Sequence, residues 1–363
     1  MRELFSEFNK PTKEEFKIMW DEAIFVFDTN VLLSLYRLPQ RSRKQLLATL
    51  EKLKDRAWIP HQVGLEYYRK RVEIIYEQEK NYLGILQLIE DNDKTVRDQF
   101  EKYSRNPFID CKKILKKLSG VHRAVKTEVE KAKMKHPDWT KEDTVETEIN
   151  KLFQDKIGLP YPDKEVEEIY KKGSLRYEKE IPPGYKDKIK DSKDKTGLKK
   201  FGDLVIWFQI IDKAKEMNLP IVFITDEQKE DWWWKSGEKT IGARHELIKE
   251  MKDEAGVSFH MYKTAQFIEY AGEYIKVKVD KELIEDVKCI REEILLDGLD
   301  ENTGQNFDAS GNLGGLGKIE DGTSDSSNLA TSEDLNLGNN CNPLIDEQGE
   351  SSNEENHLDG VNN

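Results

Sequence analysis

Four carboxylates stand at the ends of apolar stretches or one turn inside them. Asp28 closes "IFVFD" (24–28) and is followed by Thr29 and Asn30, and Asp226 closes "PIVFITD" (220–226) directly after Thr225. Asp203 lies in the first turn of the amphipathic segment "FGDLVIWFQIIDKAKEMN" (201–218), and Glu66 sits early in "HQVGLEYYRKR". Acids gathered at one place repel one another unless a cation compensates, and the hard ions Mg²⁺ and Mn²⁺ take oxygen ligands. Such a cluster suits hydrolysis of a phosphodiester by activated water, with no covalent nucleophile. Each acid also has a plainer role. Asp28 could cap the turn at "DTN", Glu66 could pair with Lys70 or Arg69, Asp203 could be an ordinary N-terminal helix charge, and Asp226 with Glu227 could solvate a turn. The combination, not any one residue, favours the metal.

The elements around the acids give the reason to expect them together. "IFVFD", "AWIP" (57–60), "PIVFITD" and "VSFHMY" (257–262) are short apolar runs of strand type, whereas 41–56, 61–90, 201–218 and "TAQFIEYAGEY" carry helical periodicity. Alternation of this kind predicts an α/β fold with a central parallel sheet flanked by helices. Ligands bind outside the carboxyl ends of such strands, so Asp28 and Asp226 should share one sheet edge, with Asp203 and Glu66 close by. From about 80 to 195 the alternation stops and a charged, helix-rich insertion is expected. Residues 1–297 are read as one domain.

Charge is unevenly distributed. Of 71 acidic and 58 basic residues, 15 and one fall from Asp297 onward, leaving 56 against 57 in the body. The net charge of −13 therefore belongs to a tail and does not argue against a nucleic-acid substrate. That tail, 298–363, is rich in Gly, Ser, Asn and Asp and poor in aromatics, which predicts disorder. It could bind a regulatory protein or fold back on the site. No apolar run approaches the ~18 residues that span a bilayer, and the N-terminus carries no apolar signal core. Cys111, Cys289 and Cys341 are far apart and odd in number, which predicts no disulfide framework and a reduced, cytoplasmic setting.

The stretches "FVFDTNVLLSLYR", "WIPHQVGLEYYRKR", "FGDLVIWFQII" and "IVFITDEQKEDWWW" resemble the successive motifs of PIN-like nucleases, in particular a bacterial subgroup with a long helical insertion. The resemblance covers about residues 20 to 275 and implies a Rossmann-like sheet. It implies that Asp28, Glu66, Asp203 and Asp226 are catalytic metal ligands for Mg²⁺ or Mn²⁺, with Thr29, Asn30 and Thr225 as polar supports. It also implies a metal-dependent nuclease, RNA favoured over DNA, of a kind that occurs in toxins, phage defence and RNA processing. The wide gap between Glu66 and Asp203 departs from compact members of the family.

Substrate contacts are expected from Arg69, Arg71, Lys199, Lys200 and Arg244, and base stacking from Trp232 in "EDWWWK". The lysine-rich segment 181–200 leads into the Asp203 helix, and Asp187 within it is a further possible ligand. His245 is read as structural. A haloacid-dehalogenase-type phosphatase would want an acid at the position of Asn30, and no GxGxxG follows any strand. The remaining alternatives are a structure-specific DNA nuclease and a non-catalytic module that binds nucleic acid or a protein.

Overall fold

The computed structural model of the chain describes residues 1, 5–187, 199–237 and 239–303. Most of the lysine-rich segment, 188–198, and the tail from 304 lie outside the described residues. Contacts divide the chain into a body, Met1–Asp297, and a second unit, Gly298–Asn363.

In the body, β1 (Ile24–Phe27), β2 (Ala57–Trp58), β3 (Ile221–Ile224) and β6 (Phe259–Tyr262) form a parallel sheet in the order β2-β1-β3-β6. Between the last two in sequence, β4 (Trp233–Ser236) and β5 (Lys239–Ala243) make an antiparallel hairpin with an irregularity at Trp234/Lys235. The helices in chain order are α1 (Lys13–Glu22), α2 (Thr29–Ser34), α3 (Gln40–Lys52), α4 (His61–Glu101), α5 (Cys111–Lys135), α6 (Thr144–Leu152), α7 (Asp163–Glu178), α8 (Gly202–Met217), α9 (His245–Ala255), α10 (Thr264–Tyr274) and α11 (Lys281–Thr303). The expected architecture is therefore present. α11 continues past the expected boundary at 298.

Every residue of β1 and β3 is buried, because both faces of the sheet are covered. Side chains alternate along a strand. One set, Phe25, Phe27 and Tyr262, meets Trp20 of α1 and Phe267 of α10, with ring centroids 5.1 Å apart for Trp20–Phe25 and 5.5 Å for Phe27–Phe267. The other set, Phe223 and Phe259, meets Trp232 and Trp207 of α8, at 5.2 Å and 4.9 Å. Each of these large rings removed from water stabilises the fold by ~1.5–3 kcal/mol. Two aromatic layers thus clamp the strands whose tips carry the acids.

The insertion is not wholly separate. α4 is one continuous helix of 41 residues, about 60 Å long at ~1.5 Å per residue. Its buried residues, Val63, Gly64, Tyr67 and Ile75, lie in the first half, and the distal half pairs with α5 through Asp93–His122 at 2.7 Å and Glu90–Lys126 at 2.5 Å. From Trp139 onward the chain returns to the core, burying Val145, Ile149, Phe153, Ile169 and Tyr177. Ile59, just after β2, donates to the carbonyl of Lys156 and accepts from the Gly158 N–H, at 3.1 Å and 2.9 Å. This pairing covers the open side of the edge strand, which would otherwise offer unpaired backbone groups.

Cys111 is a free, buried thiol. Among the described residues no helix is long and apolar enough to cross a membrane.

Candidate active site

Parallel pairing aligns Phe27 with Ile224, so the next residues, Asp28 and Thr225, stand side by side at the carboxyl edge. Asp28 ends β1 and caps α2, accepting from the Thr29 N–H at 2.7 Å. Its Oδ2 accepts from Asn30 Nδ2 at 2.7 Å and from Thr225 Oγ1 at 2.6 Å, and Asn30 Nδ2 lies 3.1 Å from Thr225 Oγ1. Asp28 thus caps the turn, and Thr29, Asn30 and Thr225 all donate to its carboxylate. Thr29 contributes its backbone; its buried hydroxyl has no partner among the described residues.

Asp203 occupies the first turn of α8, where a carboxylate is favoured by the helix dipole. Trp232 Nε1 donates to its Oδ2 at 3.2 Å. Glu66, in the second turn of α4, is held by Gln62 Nε2 at 2.9 Å and by Lys70 Nζ at 3.4 Å, so its expected pairing with Lys70 also exists. A Cβ on Gly202 would stand only 2.9 Å from Glu66 Oε1, so α4 and the head of α8 approach closely because that position has no side chain.

Asp28 lies in the field of both Glu66 and Asp203. Burial, aided by the charges of Asp203 and Glu66, pushes the Asp28 carboxyl from 3.8 to about 7, against the hydrogen bonds from Thr225 and Thr29 that pull it down.

Asp226, expected with these acids, has its side-chain contacts elsewhere. The alternation that turns Thr225 toward Asp28 turns Asp226 away. Its Oδ2 accepts from Thr264 Oγ1 at 2.5 Å and its Oδ1 from the Thr264 N–H at 3.1 Å, so it anchors the start of α10 instead of joining the other acids. Burial raises its pKa as well. Its backbone N–H donates to Asn30 Oδ1 at 3.0 Å, which ties β3 to the Asp28 turn.

Several expected substrate contacts are also corrected. Trp232 is 2% exposed and sits among Phe223, Trp207 and Asp203, so it positions an acid and offers no face to a base. Trp234 is the exposed member of the run, at 38%. Arg71 is bound to Asp143 and Glu146 at 2.5 Å and 2.6 Å, and Arg244 is chelated by Glu246 at 3.0 Å and 2.6 Å. Arg69 is exposed on α4, and Lys199 and Lys200 form the turn that enters α8. His245 packs against Phe8 and Trp234, as a structural residue would.

A second group of charges was not expected as a unit. Lys229 Nζ lies 2.8 Å from Glu227 Oε2, 2.9 Å from Asp187 Oδ1 and 3.6 Å from Asp203 Oδ2. Burial by itself would lower the Lys229 pKa, but the charges of Asp203, Glu227 and Asp187 outweigh it and raise it. Asp231, fully buried, accepts from the N–H groups of Gly184 and Lys186 at 2.9 Å and 3.1 Å and pins the Pro-Gly turn beside the site. The signal was present in "TDEQKED" as three charges within four residues of Asp226, although only folding shows which way each points.

The donor set Asp28, Glu66 and Asp203 is all oxygen and anionic, which fits Mg²⁺ or Mn²⁺ in chemistry. Among the described residues no three His, Cys, Asp or Glu side chains are arranged as a ready cage, so the carboxylates sense one another without closing on one point.

No curated protein and no solved structure matches the chain. One family model does, over residues 24–247, from the first residue of β1 to the start of α9, and that span holds every acid described above. The chain belongs to the PIN-like domain family.

Proposed function

We propose that the protein is a metal-dependent nuclease, with RNA as its first substrate. The observation that carries this reading is the buried carboxyl of Asp28 at the carboxyl edge of the sheet, held by Thr225, Asn30 and Thr29 and lying in the field of Asp203 from α8 and Glu66 from α4. A divalent cation held by these three carboxylates would supply Lewis acidity toward a phosphodiester and lower the pKa of a water molecule. The chain's own residues then orient. Thr225 and Asn30 fix Oδ2 of Asp28, Gln62 fixes Glu66, and Trp232 fixes Oδ2 of Asp203. RNA is placed before DNA because PIN-like domains typically cut RNA.

The test is cleavage of labelled single-stranded RNA, tRNA, single-stranded DNA and a flapped duplex, each with Mn²⁺, Mg²⁺ or EDTA. Asp28→Asn and Asp203→Asn proteins run alongside. Metal-dependent cleavage lost in both variants supports the reading, and the polymer cut names the substrate class. Equal inactivity of all three proteins, together with binding of nucleic acid that is indifferent to metal, would instead favour a non-catalytic module.

A further inference from the structure

Asp203 belongs to two groups of carboxylates at once. On one side it shares the field of Asp28 and Glu66, where the nearest cation is Lys70 at the exposed rim, 3.4 Å from Glu66. On the other side it faces Asp187 and Glu227, and there Lys229 Nζ stands among all three. This is the plan of a two-ion site, two ligand sets joined by one shared acid, with cations ~3.5–4 Å apart. One of its two positions is filled by the chain itself.

We propose that the Lys229 ammonium takes the place of a second metal ion, so that the protein holds one divalent ion and not two. This rests on the metal-dependent reading above. An ammonium has three donors, and here they face three carboxylate oxygens. Glu227 is folded back to receive it, because its Oε1 already accepts from the N–H groups of Gln228 and Lys229 at 2.7 Å and 3.1 Å. Asp187 is only 5% exposed, so expelling the lysine would cost a buried carboxylate its ion pair at 2.9 Å. Trp232 and Lys229 both address Oδ2 of Asp203, at 3.2 Å and 3.6 Å. The chain thereby fixes one permanent positive charge where a second ion would bring two dissociable ones.

The experiment counts Mn²⁺ bound per chain at saturation, by equilibrium dialysis, with the electron-spin signal of the bound ion recorded on the same samples. Wild type and Lys229→Arg should each bind one ion. Lys229→Gln should bind two, and the signal per ion should broaden as neighbouring spins couple. A Lys229→Gln protein that folds only with Mn²⁺ present and then carries two ions supports the proposal equally. Two ions in wild type, or one ion in Lys229→Gln, overturns it and leaves the nuclease reading standing. No bound ion in any of the three, with no metal-dependent cleavage, would sink that reading and the proposal together.

Discussion

Asp28→Asn should make the metal-free protein more stable, and only at neutral and alkaline pH. The Asp28 carboxyl is raised from 3.8 to about 7 in the fold. A raised acid binds its proton more tightly folded than unfolded, so its contribution is fully present below pH ~4 and is lost as pH rises through about 7. The shift corresponds to a ceiling of roughly 4 kcal/mol at ~1.36 kcal/mol per unit. Asparagine has the same shape and carries no charge. With its carbonyl on the Thr29 N–H its amide faces the Asn30 amide, and with its carbonyl on Thr225 and Asn30 its amide faces the Thr29 N–H, so either orientation forfeits about 1–2 kcal/mol of hydrogen bonding. The net expectation is a gain of about 2 kcal/mol at pH 8 and a loss of about 1 kcal/mol at pH 5. Urea unfolding in EDTA at the two pH values measures both. Saturating Mn²⁺ at pH 8 should erase the advantage, since wild type then gains binding energy that the variant does not. A stability difference that is the same at pH 5 and pH 8 would refute the argument that Asp28 ionises at a cost set by its burial and, beyond that, by Asp203 and Glu66.

Three other substitutions separate positioning from ligation. Gly202→Ala replaces a poor helix former with a good one, so stability measured by thermal unfolding should hold, while the new Cβ 2.9 Å from Glu66 Oε1 displaces that carboxylate and weakens Mn²⁺ about tenfold; unchanged affinity would mean that Glu66 does not bind the ion from this position. Asp226→Asn should cost about 1–2 kcal/mol of stability by weakening the Thr264 anchor and leave the Mn²⁺ count unchanged, and loss of the ion in this variant would return Asp226 to the ligand set. Trp232→Phe keeps a ring in the core but deletes the donor to Asp203, so cleavage should slow by about tenfold at saturating substrate with KM little changed; a change confined to KM would point to base contact instead.

Much of this molecule was legible in its sequence. The four parallel strands are short, β-branched and aromatic, and each ends where a charged or turn residue begins, so period and punctuation located them to within a few residues. Asp28, Glu66 and Asp203 could be proposed as a group because strand polarity fixes which end of a sheet a residue occupies. The direction of a side chain at that end depends on register, and register is a property of two strands. This is why Asp226 was expected among the acids although it faces Thr264, and why Lys229 passed unnoticed among three carboxylates. The Trp run shows the same limit. A hairpin with an irregularity decides that Trp232 and Trp233 are buried and Trp234 is not, and the residues alone do not announce that hairpin.

The pairing of β1 with β3 sets a clock on synthesis. Ile24 meets Ile221 only after the whole insertion has been made, which at ~5–20 residues per second takes roughly 10–40 s on the ribosome. Throughout that interval Asp28 lacks Thr225, and Asp203 arrives only near its end. During that interval the growing chain carries no assembled acid cluster beside the ribosomal RNA that surrounds it. The order of the strands delays the meeting of these acids until most of the chain has been made.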